Sequence, residues 1–167
     1  MNSVEHIGHY SGFKKVCSVR STRVGNFWEY TNIDKTLMYS EHRSWVYAIT
    51  RFGKIVKIGE SGLTLGIKMK NGDQPKGTSK CRLGRYRKGD NTDRFIRDLL
   101  RADTQNKLHT SAVEIYAFQC PESDHTIKIG DTDIVVKSHI HKDLEKAFLD
   151  YFKKHTGRLP IGNPGRC

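Results

Sequence analysis

The stretch from Trp45 to Ser61 constrains the fold of this chain more than any other part of the sequence. It reads W-V-Y-A-I-T-R-F-G-K-I-V-K-I-G-E-S, and β-branched and aromatic residues dominate both of its halves, Trp45–Thr50 and Lys54–Gly59. The residues between the halves include Gly53, which suits a tight bend. The pattern therefore predicts a β-hairpin.

The length of the hairpin loop decides which side chains face each other. A three-residue loop pairs Thr50 with Lys54 and puts Tyr47 opposite Lys57, with Cβ atoms roughly 4.5–5.5 Å apart. A two-residue loop puts Tyr47 opposite Ile58 and turns Lys57 to the other face. The first register brings an ammonium group close to a phenol whose pKa is ordinarily about 10, which would lower that pKa and favour a general base. The alternative is a half-buried hairpin without catalytic chemistry.

Composition favours a basic protein with one core and a polyanionic partner. The chain has 167 residues, with 29 Lys plus Arg against 18 Asp plus Glu, and a formal charge of +11. That excess favours nucleic acid over a membrane surface. No apolar run approaches the roughly 20 residues of a membrane helix, and the four cysteines form no C-x-x-C pair. A cytoplasmic location is the expectation.

Two regions are predicted along the chain. Residues 1–43 form a basic arm that packs on the core and either contacts DNA or is solvated. Residues 44–167 form the core, interrupted at 62–80 by an inserted loop rich in Gly and Lys.

The densest positive patch follows the inserted loop. A helix is predicted over 92–102, with Phe95 and Leu99 facing inward. The patch is either a solvated surface or a surface for phosphate groups. Its members are Lys80, Arg82, Arg85, Arg87, Lys88, Arg94, Arg97 and Arg101.

The last third of the chain predicts a strand at 112–119, a second hairpin at 126–130 and 133–137, and a helix at 142–155 that Gly157 ends. Glu145 lies at the margin of the buried stripe of that helix, where a carboxylate is costly unless it is paired or metal-bound. The stripe comprises Leu144, Ala147, Phe148, Tyr151 and Phe152. Both hairpins and the strand would form one small, largely antiparallel sheet flanked by helices, an α+β fold.

The order of these parts resembles the GIY-YIG nuclease family over residues 45–163. Residues 45–47 (W-V-Y) stand at the family's first triplet and residues 57–59 (K-I-G) at the second. Arg82 and Tyr86 match its R-x-x-x-Y element, Glu145 matches its metal-binding glutamate, and Asn163 matches an asparagine beyond it. The lysine in the second triplet and the P-I-G loop at 160–162 are similar to the small type II restriction endonucleases of the family.

The resemblance implies Mg²⁺-dependent hydrolysis of double-stranded DNA. Tyr47, activated by Lys57, would accept a proton from water; Arg82 with Tyr86 would bind the phosphate; and Glu145 would hold one Mg²⁺. The role of restriction enzyme implies a homodimer and a cognate DNA methyltransferase in the same system. Lys80, Arg85, Arg87, Lys88, Arg94, Arg97 and Asn163 would contact the DNA.

Several alternatives remain open on the sequence. The same fold serves mobile-element and repair nucleases, and a basic protein can bind nucleic acid without cutting it. Glu60 is either part of the metal shell or a plain surface glutamate, and His139 and His141 are either metal ligands or ordinary strand-end residues.

Overall fold

In a computed structural model, the protein is described at residues 3–22, 28–66, 81–86, 90–105, 112–129 and 132–165. The predicted DNA contacts Lys80, Arg87 and Lys88 lie outside these ranges, as does most of the inserted loop 62–80.

An antiparallel five-stranded sheet, in the order β2-β1-β5-β3-β4, forms the centre of the fold. The predicted α+β class, with a small antiparallel sheet flanked by helices, is confirmed. After a short 3₁₀ turn at Ile7–His9, the elements are β1 (Phe13–Ser21), β2 (Trp28–Thr31), α1 (Lys35–Met38), β3 (Trp45–Arg51), β4 (Lys54–Ser61), α2 (Arg82–Arg85), α3 (Asn91–Gln105), β5 (Val113–Gln119), β6 (Glu122–Ile129), β7 (Thr132–His139) and α4 (His141–Thr156).

The N-terminal segment is part of the sheet. β1 pairs with β5 through the register Phe13↔Phe118 to Val19↔Val113, and β2 pairs with the other edge of β1. The segment that the sequence presents as an arm thus supplies two of the five strands. Alternation in β1 is weak because a bulge between Lys15 and Cys17 shifts the register.

The central hairpin forms as predicted, but its predicted register is wrong. Arg51 pairs with Lys54, so the loop has two residues, and Phe52 and Gly53 both have positive φ. A bulge between Ile49 and Thr50 then shifts the pairing, so that Tyr47 lies opposite Gly59 and Ile49 opposite Lys57. Neither loop length predicts this, because a bulge adds one unpaired residue. Lys57 nevertheless shares a face with Gly59, two residues along the same strand.

The second hairpin does not join the central sheet. β6 and β7 pair only with each other among the strands that the structure describes, from Glu122↔His139 to Ile129↔Thr132. The prediction of one sheet that includes both hairpins is therefore wrong.

Two apolar clusters cover the two faces of the central sheet. On one face, Tyr47 and Ile49 of β3 pack with Leu83 of α2 and Ile96 and Leu99 of α3. On the other face, Val46, Ala48 and Ile58 pack with Leu149 and Phe152 of α4. The alternation along β3 therefore assigns Tyr47 to the α2–α3 side and leaves α4 on the opposite side.

Helix α4 is rotated relative to the predicted stripe. Its buried residues are His141, Glu145, Leu149 and Phe152, whereas Ala147 and Tyr151 are exposed. Gly157 ends the helix with a left-handed φ of 75°, as predicted. Glu145 therefore lies in the middle of the buried face of α4 rather than at its margin. The pattern of apolar residues does not show this, because the buried line includes the polar residues His141 and Glu145. Within the described ranges no helix is long and apolar enough to span a bilayer.

Candidate active site

Tyr47 lies across the backbone of Gly59 on β4. Its side chain is 4 % exposed, and a Cβ built on Gly59 would stand 2.2 Å from both Cζ and the hydroxyl of Tyr47. Only a residue without a side chain leaves this space, so the glycine of the second triplet allows the phenol to extend over the outermost strand of the sheet.

Arg82 and Tyr86 pack against this phenol. The Arg82 guanidinium carbon lies 5.2 Å from the Tyr47 ring centre and 5.8 Å from the Tyr86 ring centre, within the range of cation–π contacts. The two tyrosine rings meet edge to face at 5.5 Å. An Arg82 N–H donates to the carbonyl of Glu60, which ties the guanidinium to the end of β4. The predicted R-x-x-x-Y pair is thus brought together with Tyr47.

Two buried polar atoms in this group lack a well-formed hydrogen bond within the described part of the chain. They are Arg82 Nε and the Tyr86 hydroxyl, which lies close to the Tyr47 phenol without good hydrogen-bond geometry. Buried polar groups are ordinarily hydrogen-bonded, and those left unpaired mark a strained or functional position. An anion bound beside Arg82 would give both groups an acceptor.

Burial keeps both tyrosines protonated. Desolvation raises the pKa of Tyr47; the positive charge of Arg82 opposes this rise, and the negative charge of Glu145 adds to it. Desolvation also raises the pKa of Tyr86, well above its usual value, with the neighbouring Tyr47 adding to the effect. The prediction that a nearby cation lowers the pKa of Tyr47 below its usual value is therefore wrong, because the effect of burial exceeds that of the cation. The cation that opposes the rise is Arg82.

Glu145 approaches the site from the opposite face of the sheet. It belongs to α4, is 7 % exposed, and lies close enough for its charge to act on Tyr47. Helix α4 packs against β4, the edge strand over which Tyr47 extends. The structure thus brings Tyr47, Arg82 and Tyr86 into contact and places Glu145 near enough for its charge to act on Tyr47.

Lys57 lies next to the group and holds the C-terminal loop. Its Nζ donates to the carbonyl of Gly162 at 2.8 Å and stands 5.9 Å from the Phe95 ring centre. Gly162 N–H in turn donates to the carbonyl of Val56 at 2.7 Å.

Asn163 binds the backbone of β4 with both ends of its amide. Ile58 N–H donates to Asn163 Oδ1 at 2.9 Å, and Asn163 Nδ2 donates to the Ile58 carbonyl at 2.7 Å. The side chain is 3 % exposed. Its amide acts as one rung of a β-ladder along the edge strand, a structural role that differs from the predicted DNA contact.

His141 and Glu60 form a network that the sequence left open. His141 Nε2 lies 3.3 Å from Glu60 Oε2, and His141 Nδ1 shares a hydrogen bond with Ser44 Oγ at 3.1 Å. His141 and Ser44 are both buried. The only sequence signal was the four-residue spacing of His141 and Glu145, which places both on one helix face.

The described basic residues near α3 differ in their surroundings. Arg85 and Arg94 are exposed. Arg97 forms an ion pair with Asp93 at 2.9 Å, and Asp93, fully buried, also accepts from Trp28 Nε1 at 2.8 Å. Arg97 therefore contributes to the fold through its ion pair with Asp93, whereas Arg85 and Arg94 present their side chains to solvent.

The oxygen donors that could hold a cation are the carboxylates of Glu145 and Glu60. Across the ranges that the structure describes, no group of three or more His, Cys, Asp or Glu side chains is arranged to hold a metal ion. A cation here would depend on one or two carboxylates and solvent, which is a common arrangement for Mg²⁺ but not for Zn²⁺.

Neither a family model nor a curated protein matches the chain. Among solved structures, it is similar to a mutant of bacteriophage T4 EndoII, with 19 % identity, a TM-score of 0.55, and coverage of 93 % of this chain and 94 % of that one. It also aligns with the restriction endonuclease HPY188I in complex with product DNA, with 22 % identity, a TM-score of 0.43, and coverage of 94 % and 83 %. The likeness to EndoII extends over nearly the full length of both chains and shows a shared fold.

Proposed function

We propose that this protein is a metal-dependent endonuclease of double-stranded DNA, of the GIY-YIG type. The observation that carries the proposal is the contact of Tyr47 with Arg82 and Tyr86, with Glu145 near enough for its charge to act on Tyr47, from three separate parts of the sequence. These are four of the five residues to which the family resemblance assigns catalysis; the fifth is Lys57. The fold shared with EndoII adds support.

Arg82 binds the scissile phosphate. Its guanidinium carries a fixed positive charge against two buried tyrosine rings, where such a charge stabilises a developing phosphorane far better than it would in water. The hydrogen bond to Glu60 and the two ring contacts limit its motion. Tyr86, with its buried hydroxyl, lies beside the same phosphate and donates to it.

Tyr47 takes the proton of the attacking water. The phenol must ionise to do so, and burial opposes ionisation. Arg82, 5.2 Å from the ring, favours the phenolate and couples proton acceptance to phosphate binding. Lys57 supports the site indirectly, through Gly162 and Phe95.

Glu145 fits the Mg²⁺ that the resemblance implies. It is a buried carboxylate in the midst of the site, a position that an acid occupies at low cost when a cation neutralises it. When bound, Mg²⁺ supplies Lewis-acid polarisation of the phosphate and stabilises charge on the leaving oxygen. Glu145 would hold it, with Glu60 as the second acid of the neighbourhood.

The finer assignment is a type II restriction enzyme that acts in the cytoplasm as a homodimer on a palindromic site, alongside a cognate DNA methyltransferase. Twofold symmetry suits cleavage of both strands at a palindrome. Sequencing the ends of a plasmid digest tests this assignment: one repeated sequence at all ends supports restriction, and scattered ends favour a repair or mobile-element role.

The proposed activity is tested by plasmid cleavage with Mg²⁺ and with EDTA. We expect cleavage only with Mg²⁺, and Glu145→Gln should lower the rate by more than about 100-fold while DNA affinity in gel-shift assays stays within about twofold. Asp143→Asn, an exposed acid two residues away on α4, is the control and should cleave normally. A protein that retards DNA under all conditions without nicking it would leave only a binding function.

A further inference from the structure

His141 contacts three parts of the fold that each carry a piece of the candidate site. It is the first residue of α4 and precedes Glu145 by one turn, about 6 Å along the helix axis. One ring nitrogen meets Ser44, the residue before the strand that carries Tyr47. The other meets Glu60, whose carbonyl accepts from Arg82.

The start of α4 lacks the usual local anchor. Ile140 is the N-cap and provides no side-chain hydrogen bond to the first turn. Helices ordinarily fix their first turn with a capping Ser, Thr, Asp or Asn. The position of the first turn, and with it Glu145, therefore depends on contacts to neighbouring elements.

His141 supplies such contacts with directional bonds. Leu149 and Phe152 fix the far half of α4 through apolar packing, which tolerates sliding. A ring held at both nitrogens, with 6 % of its surface exposed, does not slide. The His141 ring lies alongside Gly62, where a Cβ would make only an ordinary contact at 3.4 Å.

We propose that His141 is a positioning residue for the proposed nuclease reaction: bound to Ser44 and Glu60, it fixes Glu145 relative to Arg82. Glu60 links the two ends of this arrangement, since its carboxylate contacts His141 and its backbone carbonyl accepts a hydrogen bond from Arg82. The inference rests on the proposed function for its effect on catalysis, but the anchoring of α4 is measurable without cleavage.

The catalytic effect is tested with three substitutions at one position. His141→Ala should lower single-turnover cleavage about 10- to 100-fold, the range for residues that orient a metal ligand, with DNA affinity changed less than about twofold. His141→Gln places a polar atom near the position of Nε2 and keeps the Glu60 contact, whereas His141→Asn imitates Nδ1 and keeps the Ser44 contact. Gln should restore more activity than Asn, because the link to Arg82 runs through Glu60.

The structural effect is tested by amide hydrogen exchange in the protein without DNA or metal. In His141→Ala the amides that donate hydrogen bonds into the first turn of α4, beginning with Leu144 N–H to the Ile140 carbonyl, should exchange at least about tenfold faster, while the last two turns keep their protection. The control is Leu149→Ala, which removes a buried side chain from the same helix face two turns further along. It should lower global stability yet leave single-turnover cleavage within about threefold at a temperature where it is folded.

Three results would overturn the proposal: unchanged protection in His141→Ala of the amides that donate into the first turn, equal cleavage losses in His141→Ala and Leu149→Ala, or better rescue by Asn than by Gln. A wild-type protein that does not cleave DNA would refute the proposed function instead. The exchange experiment would then decide the anchoring by itself.

Discussion

Gly59 controls where Tyr47 can lie. The phenol ring occupies the space that any side chain at position 59 would need. Glycine here is therefore required by a close approach, since the strand conformation itself is open to other residues. The same glycine lets the Tyr47 phenol extend from one face of the sheet over its edge strand.

Gly59→Ala should displace the Tyr47 ring and abolish cleavage. The added methyl would overlap Cζ and the hydroxyl at 2.2 Å, so either the ring or the strand must move. We expect a loss of about 1–3 kcal/mol in the free energy of unfolding and cleavage below detection. Gly62→Ala, whose Cβ would meet only the His141 ring at 3.4 Å, is the matched control. Normal activity in Gly59→Ala would show that the ring can lie elsewhere.

The raised pKa of Tyr47 predicts the pH dependence of the reaction. The phenolate fraction increases about tenfold per pH unit below the pKa, and that pKa lies above the usual value near 10. If Tyr47 is the base, log rate should therefore rise with a slope near one from about pH 6 to 9.5 without a plateau. The measurement is single-turnover cleavage at saturating Mg²⁺, and a plateau below pH 8 would exclude Tyr47 as the titrating base.

Loss of folding stability would limit this measurement only at high pH. Burial raises the pKa of Tyr10 and of Tyr116 to about 12, and that of Tyr86 well above 10. Groups with raised pKa values stabilise the fold below about pH 10, where the unfolded tyrosine is still protonated, and this stabilisation is lost as the pH rises through the folded-state values. The protein should stay folded over the range of the experiment.

The residues of the site were more predictable than their contacts. The family resemblance predicted that Tyr47, Arg82 and Tyr86 lie together, and their side chains are in contact in the structure. The Tyr47–Lys57 pair was wrong in register because a bulge leaves no clear pattern in a run of β-branched residues. The contacts of His141 depend on a strand start and a strand end that are far apart in sequence, which periodicity does not reveal.

For helices and loops, too, the bounds were easier to predict than the packing. Gly157 and the bounds of α4 follow from local chemistry, so the sequence predicts them to within one residue. Which face of α4 is buried depends on the elements that it packs against. The apolar pattern predicted the wrong face because His141 and Glu145 are polar residues on the buried side. The loop at 160–163 carries no strand signal, because an asparagine side chain and one glycine amide do the pairing.

Asn163→Ala should weaken the attachment of this loop to β4, which Lys57 and the Gly162 amide also hold. It removes two hydrogen bonds and leaves the buried N–H and carbonyl of Ile58 without their partner. We expect a loss of about 2–4 kcal/mol in urea denaturation. Ile161→Ala in the same loop removes an exposed side chain and should cost less than about 0.5 kcal/mol. Equal losses in the two variants would contradict the role assigned to the amide.

The charge of the chain as a whole gives it a general attraction to DNA, which the fold distributes unevenly. The formal charge is +11, but some cations already have acidic partners, as Arg97 does with Asp93 and Lys15 with Glu114. Sequence counts therefore overstate what is presented to a phosphate backbone. Exposed arginines such as Arg94 are better candidates than paired ones.

Arg94→Gln and Arg97→Gln should separate these two kinds of cation. Arg94→Gln should weaken DNA binding, with the slope of log affinity against log salt reduced by about one, and leave stability within about 0.5 kcal/mol. Arg97→Gln removes the partner of a fully buried carboxylate and should cost about 1–3 kcal/mol in stability. Fluorescence anisotropy at several salt concentrations, with thermal unfolding of both variants, measures this, and an identical response from the two would contradict the distinction.

Tyr47 and Tyr86 belong to one apolar cluster, and Glu145 belongs to the helix that packs in the other, on the opposite face of the sheet. The two halves of the proposed site are thus positioned by independent packing. A shift of either half as a body would therefore misalign the two sets of groups. Loss of a buried side chain that leaves its helix or strand in place, as in Leu149→Ala, should instead lower stability and spare the reaction.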